Sequence, residues 1–479
     1  MNKFYHDNGP HIKSPYNTSK MMKHLIIALF PIIIFSVYKN GILPYSRGYG
    51  TLLSAFRPLI MILLGMLTSL ISETLFIYFV LKIKDKEKLI THLKYSYAIF
   101  PGLFLALTIP INTPYSILIV GAMVATIIGK MLFGGFGFNI FNPALVGNLF
   151  IISAYYSNIA IQGGYLNKLE LDTITQATPL TNLQNLNYID TYQNIVTPFG
   201  NLWNFLTGMI PGTIGETSAI LCLLGLIYLL FTKVITWHIP IIYLATVFIL
   251  TSFIGYYHDL GIWYPLFHLL SGGLIFGAIF MATDPVTSPT TPIGQAIYAL
   301  GLGFLTVIFR FLTSYPEGVL TAILTMNMFV FIIDKLGVKV RFNLKKLSIP
   351  LAILILIIGT TTYYVATNIN KKVTDQNFNV IDVTEIDNQV IYTVTHKAYH
   401  GLIKAKIEID DNTGKITTID ILEQNEYVWN QIEEHNYIDK LIQQQHNLDD
   451  LDTISGATYT ANYLKQMVIK TLKEYSQNR

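Results

Sequence analysis

Cysteine is almost absent from this sequence: its 479 residues include only one, Cys222. A single thiol cannot close a disulfide within the chain, and it cannot supply the four thiolates that hold an iron–sulfur cluster. The Gly-x-Gly-x-x-Gly turn that binds dinucleotide phosphates is also missing after the predicted strands. These absences exclude an iron–sulfur centre or an NAD site built from this chain alone.

Charged residues are scarce as well. They make up 13% of the chain, against about 25% in soluble domains. The net charge is only +3 and no basic patch interleaved with aromatic residues is present, which argues against nucleic-acid binding. Apolar runs dominate residues 24–335, whereas the chain from residue 367 onward is polar. The sequence therefore predicts a polytopic membrane protein followed by a soluble domain.

Apolar segments of roughly 17–25 residues, the length of a bilayer-crossing helix, recur along the chain. We predict crossings at 24–40, 56–82, 93–110, 114–133, 141–156, 215–232, 236–257, 263–283, 293–314, 317–335 and 348–367. Lysine and arginine cluster before the first crossing, after the second and after the tenth. All three clusters lie on one side if the N-terminus is cytoplasmic. Loop 157–214, whose only basic residue is Lys168, then lies outside the cytoplasm, and so does the tail.

These patterns divide the chain into five regions. They are a cytoplasmic arm (1–23), a membrane domain (24–335, with outer loop 157–214), a basic cytoplasmic linker (336–347), an anchor helix (348–367) and an extracytoplasmic domain (368–479). Strand-like alternation at 389–395, 402–410 and 416–423, followed by helical patterns, predicts a small α+β fold for the last region.

One octapeptide occurs twice, as LDTITQAT at 171–178 and as LDTISGAT at 451–458. Both copies have an aspartate followed three residues later by a hydroxyl residue and six residues later by a threonine. In the first copy these are Asp172, Thr175 and Thr178; in the second they are Asp452, Ser455 and Thr458, with Gly456 and Ala457 between the last two. Small neighbours should leave the final threonine hydroxyl accessible to a modifying enzyme, and both copies are predicted outside the cytoplasm. The alternative is a polar turn in which the threonine caps the following helix.

The second copy resembles the site where flavin transferases esterify FMN phosphate to threonine in Rnf and Na⁺-translocating NADH:quinone reductase complexes. The membrane region resembles the D subunit of Rnf and the related B subunit of the quinone reductase. The similar segments are SPYNTSKMM (14–22), GKMLFGGFGFNIFNPALVG (129–147), ITQATPL (174–180), PGTIGETSA (211–219), HLLSGGLIFGAIFMATDPVTSPTTPIG (268–294) and YPEGV (315–319). The tail resembles the FMN-binding G subunit of Rnf through AYHGLIKAKIEID (398–410), the turn DNTGK (411–415) and DTISGATYT (452–460).

The resemblance implies a fusion of a D-like and a G-like subunit. It implies about ten membrane helices with inverted-repeat character, then an anchor helix and a small α+β FMN-binding domain. Thr178 and Thr458 would each carry FMN as a phosphothreonine ester attached by a flavin transferase, and riboflavin is a further, non-covalent candidate. The implied function is that of an electron-transfer subunit in an Rnf-type ferredoxin:NAD⁺ oxidoreductase of the cytoplasmic membrane. It would couple electron flow to Na⁺ or H⁺ transport, while partner subunits supply the NAD and iron–sulfur sites.

Two segments, GGFGFNIFNPALVG (134–147) and GAIFMATDPVTSPTTPIG (277–294), mix glycine, proline and polar residues at membrane depth. Such paired broken segments point to repeats with a site near the membrane midplane, here for a flavin or a cation. The alternative is close helix packing through small residues.

Asp284 and Glu73 are the ion-coupling candidates, because a charge inside the membrane costs roughly 2.5–3.5 kcal/mol on insertion scales. A helix cap for Asp284 and an interhelical hydrogen bond for Glu73 are the alternatives. Glu216 is interpreted first as a cap and second as a flavin contact. Arg57, Lys130 and Arg310 lie near predicted span ends, where we expect their side chains to reach the lipid headgroups.

Two other functions stay open. EQNEYVWNQIEE (423–434) stands where G-type subunits have an ETPG-like stretch. This difference favours a flavin relay that passes electrons outward to an extracellular acceptor. Broken paired helices also suit a solute channel or transporter with an accessory domain.

Overall fold

A computed structural model describes residues 17–48, 51–161, 178–186, 188–216, 218–313, 318–341, 345–369, 378–386, 389–398, 402–424, 426, 429–445, 448 and 458–477. They form two compact units, and the chain passes into the second after Ala366. The α-helices that begin in the first unit are α1 (Thr18–Val37), α2 (Leu43–Ser46), α3 (Leu52–Ala55), α4 (Arg57–Phe79), α5 (Lys86–Ser96), α6 (Phe100–Leu107), α7 (Tyr115–Ile127), α8 (Pro143–Ile161), α9 (Pro179–Asn185), α10 (Tyr192–Ile195), α11 (Leu202–Thr207), α12 (Ala219–Phe231), α13 (His238–Tyr257), α14 (Trp263–Leu270), α15 (Leu274–Phe276), α16 (Pro292–Leu312), α17 (Val319–Asn327), α18 (Val330–Arg341) and α19 (Lys345–Asn368).

Most predicted crossings correspond to apolar helices. Within the described ranges, five helical segments are long enough to span a membrane, two further helix pairs are bent by 61° and 62°, and three apolar helices are shorter. The predicted crossing at 93–110 is wrong as a continuous helix. It is broken at Tyr97, whose φ of 54° ends α5 and leaves only the eight-residue α6 after the break.

The helical unit contains two repeats, α4–α8 and α13–α17, if the broken pairs α5–α6 and α14–α15 each count as one element. In each repeat the first element packs on the third, α4 on α7 and α13 on α16, and the third packs on the last. The loop before the third element reads TIPINTP (108–114) in one repeat and TDPVTSP (283–289) in the other. The segment TIIGK (126–130) spans the end of α7, and the segment TVIFR (306–310) lies near the end of α16. The helical unit therefore contains two repeats, but the two broken segments paired in the sequence do not occupy equivalent positions in them. Segment 134–147 follows the third element of one repeat, whereas segment 277–294 precedes the third element of the other.

Side chains follow the same correspondence. The Thr126 hydroxyl donates to Ser69 on α4 at 2.9 Å, and the Thr306 hydroxyl is hydrogen-bonded to that of Tyr243 on α13. On the last helix of the first repeat, Asn148 donates to the Thr108 carbonyl at 2.9 Å. These hydrogen bonds join α7, α16 and the loop before α7 to neighbouring helices at polar points inside an apolar bundle.

The second unit is an antiparallel sheet in the order β1-β2-β3-β4 with helices on one face. Its elements are β1 (Phe378–Ile386), β2 (Gln389–Lys397), β3 (Leu402–Asp410), β4 (Lys415–Glu423), α20 (Trp429–Glu434), α21 (Tyr437–Gln443) and α22 (Thr458–Gln477). Alternate β3 residues, from Ile403 to Ile409, enter the core that the helices cover. The three predicted strands are confirmed. β1 was missed because this edge strand is bulged and leaves Ile381 and Val383 exposed.

Candidate functional site

A cavity of about 500 Å³ lies at the N-terminal end of α12, and Thr178 is part of its wall. We call it the Thr178 cavity. The other walls come from the segment before α12, which includes Ile210 and Glu216, and from the turn between α14 and α15.

Thr178 ends the first motif copy and is the N-cap of α9. Its Oγ1 accepts a hydrogen bond from the Thr181 N–H at 3.2 Å and is 2.9 Å from the Thr181 hydroxyl. The helix-cap interpretation is therefore confirmed for this copy. The expectation of an accessible hydroxyl is wrong for Thr178, which is 3% exposed, because it faces the cavity rather than the surface. Asp172 and Thr175 lie outside the described residues.

The turn between α14 and α15 brings backbone close to Glu216. Gly272 and Gly273 have φ values of 68° and 63°, a region that favours glycine. A Cβ atom at Gly273 would lie 2.0 Å from Oε1 of Glu216. The carboxylate therefore fills space that only glycine leaves open, and it lines the cavity beside Thr178. A hydroxyl, a carboxylate and backbone at close approach suit a polar cofactor such as FMN.

Two buried cations support the walls of this cavity from behind. Nζ of Lys39 donates to the Ile210 carbonyl at 2.6 Å. The guanidinium of Arg310 donates to the carbonyls of His268 at 2.6 Å and Ser271 at 2.9 Å. Arg310 is 1% exposed, so the expectation that it reaches the headgroups is wrong. The carbonyls freed at the break between α14 and α15 provide a nearer partner.

A second cavity, of about 780 Å³, lies at the opposite end of α12, where Val234 and Ile235 line it. We call it the Asp284 cavity. Its walls combine aromatic, amide and charged side chains, namely Tyr97, Phe100, Phe136, Asn139, Asn142, Lys130 and Asp284. Both broken segments singled out in the sequence contribute to it, so the two halves of the membrane region meet at one site.

The candidate carboxylates both lie at or behind this cavity, in different settings. Glu73 is fully buried and forms an ion pair with Lys130 at 2.7 Å, while Ser96 donates to its other oxygen. Lys130 also donates to the Ser96 carbonyl at 2.7 Å, so it does not reach the headgroups as expected. Glu73 thus forms the contacts between helices that we gave as the alternative to a role in ion coupling.

Asp284 lines the cavity directly and accepts a hydrogen bond from the Thr287 hydroxyl at 2.9 Å. The cap of the following helix is Thr291, so the cap interpretation of Asp284 is wrong. Asn327 of α17 hydrogen-bonds Tyr298 on α16 at 2.9 Å. In the amide orientation that satisfies its neighbours, Asn327 also links the Thr287 carbonyl to the Asn142 N–H. The loop that carries Asp284 is therefore tied to the other broken segment.

In the second unit, Thr458 is the first residue of α22. Two residues later, the Thr460 hydroxyl donates to the buried carboxylate of Glu426 at 3.0 Å. The ring of Tyr463 lies 5.5 Å from that of His396, and burial, followed by the negative charge of Glu426, raises the pKa of the Tyr463 phenol. Asp452, Ser455, Gly456 and Ala457 lie outside the described residues.

Two family models match the chain. The model described as the NQR2, RnfD, RnfE family matches residues 6–343, most of the chain. The chain belongs to the NQR2, RnfD, RnfE family. The model of the FMN-binding domain matches residues 398–473. This member of the NQR2, RnfD, RnfE family is therefore fused to an FMN-binding domain, and with its apolar helices it is a multi-pass membrane protein.

Curated relatives of this family member cover most of the chain. The D subunit of the proton-translocating ferredoxin:NAD⁺ oxidoreductase complex of Clostridium ljungdahlii is 35% identical over 355 residues, which are 72% of this chain and 98% of the relative. The D subunit of the Na⁺-translocating ferredoxin:NAD⁺ oxidoreductase complex of Acetobacterium woodii is 33% identical over 330 residues, 68% of this chain and 92% of the relative. The D subunit of an ion-translocating oxidoreductase complex of Halorhodospira halophila is 30% identical over 353 residues, 68% and 92% of the two chains.

Sequence reasoning missed the roles of Lys39 and Arg310 in this family member. A signal for Arg310 was present, since TIIGK and TVIFR repeat the pattern Thr-x-Ile-x-Lys/Arg after an apolar helix. No comparable signal marks Lys39, which follows α1 in an otherwise apolar segment and meets Ile210 only through the tertiary fold.

Proposed function

We propose that this chain is an electron-transfer subunit of a membrane-bound, Rnf-type ferredoxin:NAD⁺ oxidoreductase, with FMN esterified to Thr178 and Thr458. The observation that carries the proposal is the position of Thr178, the last residue of the first motif copy, in the wall of a cavity that Glu216 also lines. The FMN-binding domain match over residues 398–473 supports FMN in the second unit. The names of the similar proteins support the type of complex.

In this proposal the residues of the chain hold and shield the cofactor. Thr178 would anchor it, and Glu216 and the turn at Gly273 would form the wall against which it rests. FMN supplies electron transfer when bound, while the protein sets its position and its surroundings. Partner subunits supply the NAD and iron–sulfur sites, and a flavin transferase attaches the two FMN groups outside the cytoplasm.

The Asp284 cavity is where we place a non-covalent cofactor such as riboflavin. Five aromatic rings and the amides of Asn139 and Asn142 match a planar, hydrogen-bonding ring system. Acid extraction of the purified protein should release non-covalent flavin. The Asn142→Leu variant should bind, and therefore release, less of it. Equal acid-extractable flavin in both proteins would argue against this placement.

The covalent sites are tested by flavin fluorescence of the purified chain in a denaturing gel. Thr178→Ala and Thr458→Ala should each dim the band by about half, and the double variant should abolish it. Thr191→Ala is the matched control, because it removes an exposed threonine hydroxyl before α10 that makes no cap hydrogen bond and leaves Thr178 and its partner in place. Undiminished fluorescence in the double variant would refute covalent attachment at these residues.

Experiments on the purified chain and on membranes that lack it distinguish this function from the two alternatives, a channel or transporter and an outward electron relay. A chain without covalent flavin would favour a channel or transporter. Membranes that lack this protein but still transport ions with ferredoxin or NADH would favour the outward relay. The proposed function instead requires that both ion transport and ferredoxin:NAD⁺ electron transfer disappear with the chain.

A further inference from the structure

The walls of the Thr178 cavity are held by charged groups of both signs. Lys39 donates to the carbonyl of Ile210, a wall residue. Arg310 donates to the carbonyl of Ser271, which lies between the wall residues Leu270 and Gly272. Glu216 lines the cavity itself and interacts electrostatically with Lys39. A cofactor in this cavity would therefore lie in the field of two cations and one carboxylate.

Burial raises the free-energy cost of keeping these groups charged, but it also strengthens the field of each charge that persists. Lys39 is 0% exposed and Arg310 is 1% exposed, so water screens them little. A charge on a membrane-spanning helix is expensive and is usually retained for a function. Clamping the α14–α15 break is one use for Arg310, but neutral donors could also satisfy carbonyls. The sign of the charge also matters to any group in the cavity that changes its own charge.

We propose that Lys39, Arg310 and Glu216 set the reduction potential of the flavin attached to Thr178. The two cations raise the potential, because reduction adds negative charge to the flavin and a nearby positive charge stabilises it. The carboxylate lowers the potential for the opposite reason. This inference rests on the proposed attachment of FMN to Thr178.

The test is a redox titration of the full chain, purified in detergent after production with a flavin transferase. All variants carry Thr458→Ala, so that Thr178 holds the one remaining covalent flavin. Subtracting the Thr178→Ala/Thr458→Ala protein removes the signal of non-covalent flavin. The variants are Arg310→Met, Arg310→Lys, Lys39→Met and Glu216→Gln.

The control is Asp334→Asn, at the far end of α16 from Arg310. The Asp334 carboxylate accepts hydrogen bonds from Thr290 and Thr291, just before that helix begins. At about 1.5 Å per residue, α16 separates this end from Arg310 by about 30 Å. Asp334→Asn therefore removes the same charge as Glu216→Gln at a place from which the cavity should not sense it.

We expect Arg310→Met and Lys39→Met to reduce the ratio of reduced to oxidised flavin at a fixed potential by about tenfold, a shift of about 30 mV for a two-electron couple. Glu216→Gln should shift the potential upward, while Arg310→Lys and Asp334→Asn leave it in place. Shifts of one sign in all variants, or none in any, would overturn the inference.

The outcomes stay separable when a variant is damaged. If Arg310→Met yields no folded protein, Lys39→Met and Glu216→Gln still give opposite predicted signs. If the parent protein carries no flavin on Thr178, the gel shows this before any titration, and it is the proposed function that fails. A fluorescent band with an unmoved potential contradicts only the inference about the charges.

Discussion

Nζ of Lys130 lies 2.7 Å from Oε2 of Glu73, and both side chains are almost completely buried between membrane helices. The pair joins the end of the α7 segment to the middle of α4, and the same ammonium group also holds the Ser96 carbonyl at the break before α6. In the second repeat, Arg310 performs the same task at the break after α14. A buried cation at each break is thus a shared structural feature of the two repeats.

Removing Lys130 should destabilise the helical unit. Lys130→Met leaves the Glu73 carboxylate buried without its ion-pair partner, which costs about 3–5 kcal/mol in buried pairs of this kind. Thermal unfolding in detergent should show a clear drop in Tm. The double variant Lys130→Met/Glu73→Gln should recover most of the loss, and an equally low Tm in the double variant would contradict this explanation.

Asp284→Asn should impair ion transport without affecting flavin attachment. The side chain lines the Asp284 cavity, whereas Thr178 lies at the other end of α12. In vesicles containing the complete complex, ferredoxin-driven accumulation of radioactive Na⁺, or acidification measured by a dye, should be lost. Asp334→Asn is the matched control and should retain transport. Normal transport by Asp284→Asn would exclude this carboxylate as the coupling group.

Gly273→Ala should lower the flavin content at Thr178. The new methyl group would meet Oε1 of Glu216 at 2.0 Å, and φ of 63° disfavours alanine. In the Thr458→Ala background, in-gel fluorescence should fall severalfold. Gly359→Ala, where no atom lies within 4 Å of the added carbon, should leave it unchanged. Equal fluorescence in both proteins would show that the turn at Gly273 does not shape the site.

Glu426→Gln should destabilise the second unit. The carboxylate is 6% exposed and accepts the hydrogen bond of Thr460 near the start of α22. Weakening a buried, charge-assisted hydrogen bond costs about 1–3 kcal/mol. Calorimetry of the full chain should detect this loss as a lower Tm for the unfolding of the second unit. Glu433→Gln, at an exposed position that accepts from Trp429, should change it by less than about 0.5 kcal/mol.

The proposed sidedness can be tested by cysteine labelling, since the chain has a single natural cysteine to remove. In a Cys222→Ala background, Gln193→Cys in the outer loop and Asn412→Cys in the β3–β4 turn should react with a membrane-impermeant maleimide in intact cells. Glu87→Cys on α5 should react only after lysis. Labelling of Glu87→Cys in intact cells would show that the predicted orientation of the chain in the membrane is wrong.

The sequence was sufficient for the features that depend on local composition and order. Hydropathy identified most membrane helices, alternation identified three of the strands, and motifs identified the FMN-binding domain. The break at Tyr97 escaped because a single residue with positive φ leaves the hydropathy of 93–110 unchanged. Strand β1 escaped because an edge strand with exposed apolar residues lacks clean alternation.

The site itself depended on contacts between distant segments. From sequence alone, Lys130 and Arg310 lie at helix ends, where a long cationic side chain usually reaches the headgroups. In the folded chain, helix breaks tens of residues away expose carbonyls within reach, and both cations turn inward. The sequence by itself thus determined most of the apolar helices and the two copies of the octapeptide. Only tertiary packing decided that Thr178 faces a cavity with Glu216, because the free energy of a buried charge depends on partners that are remote along the chain.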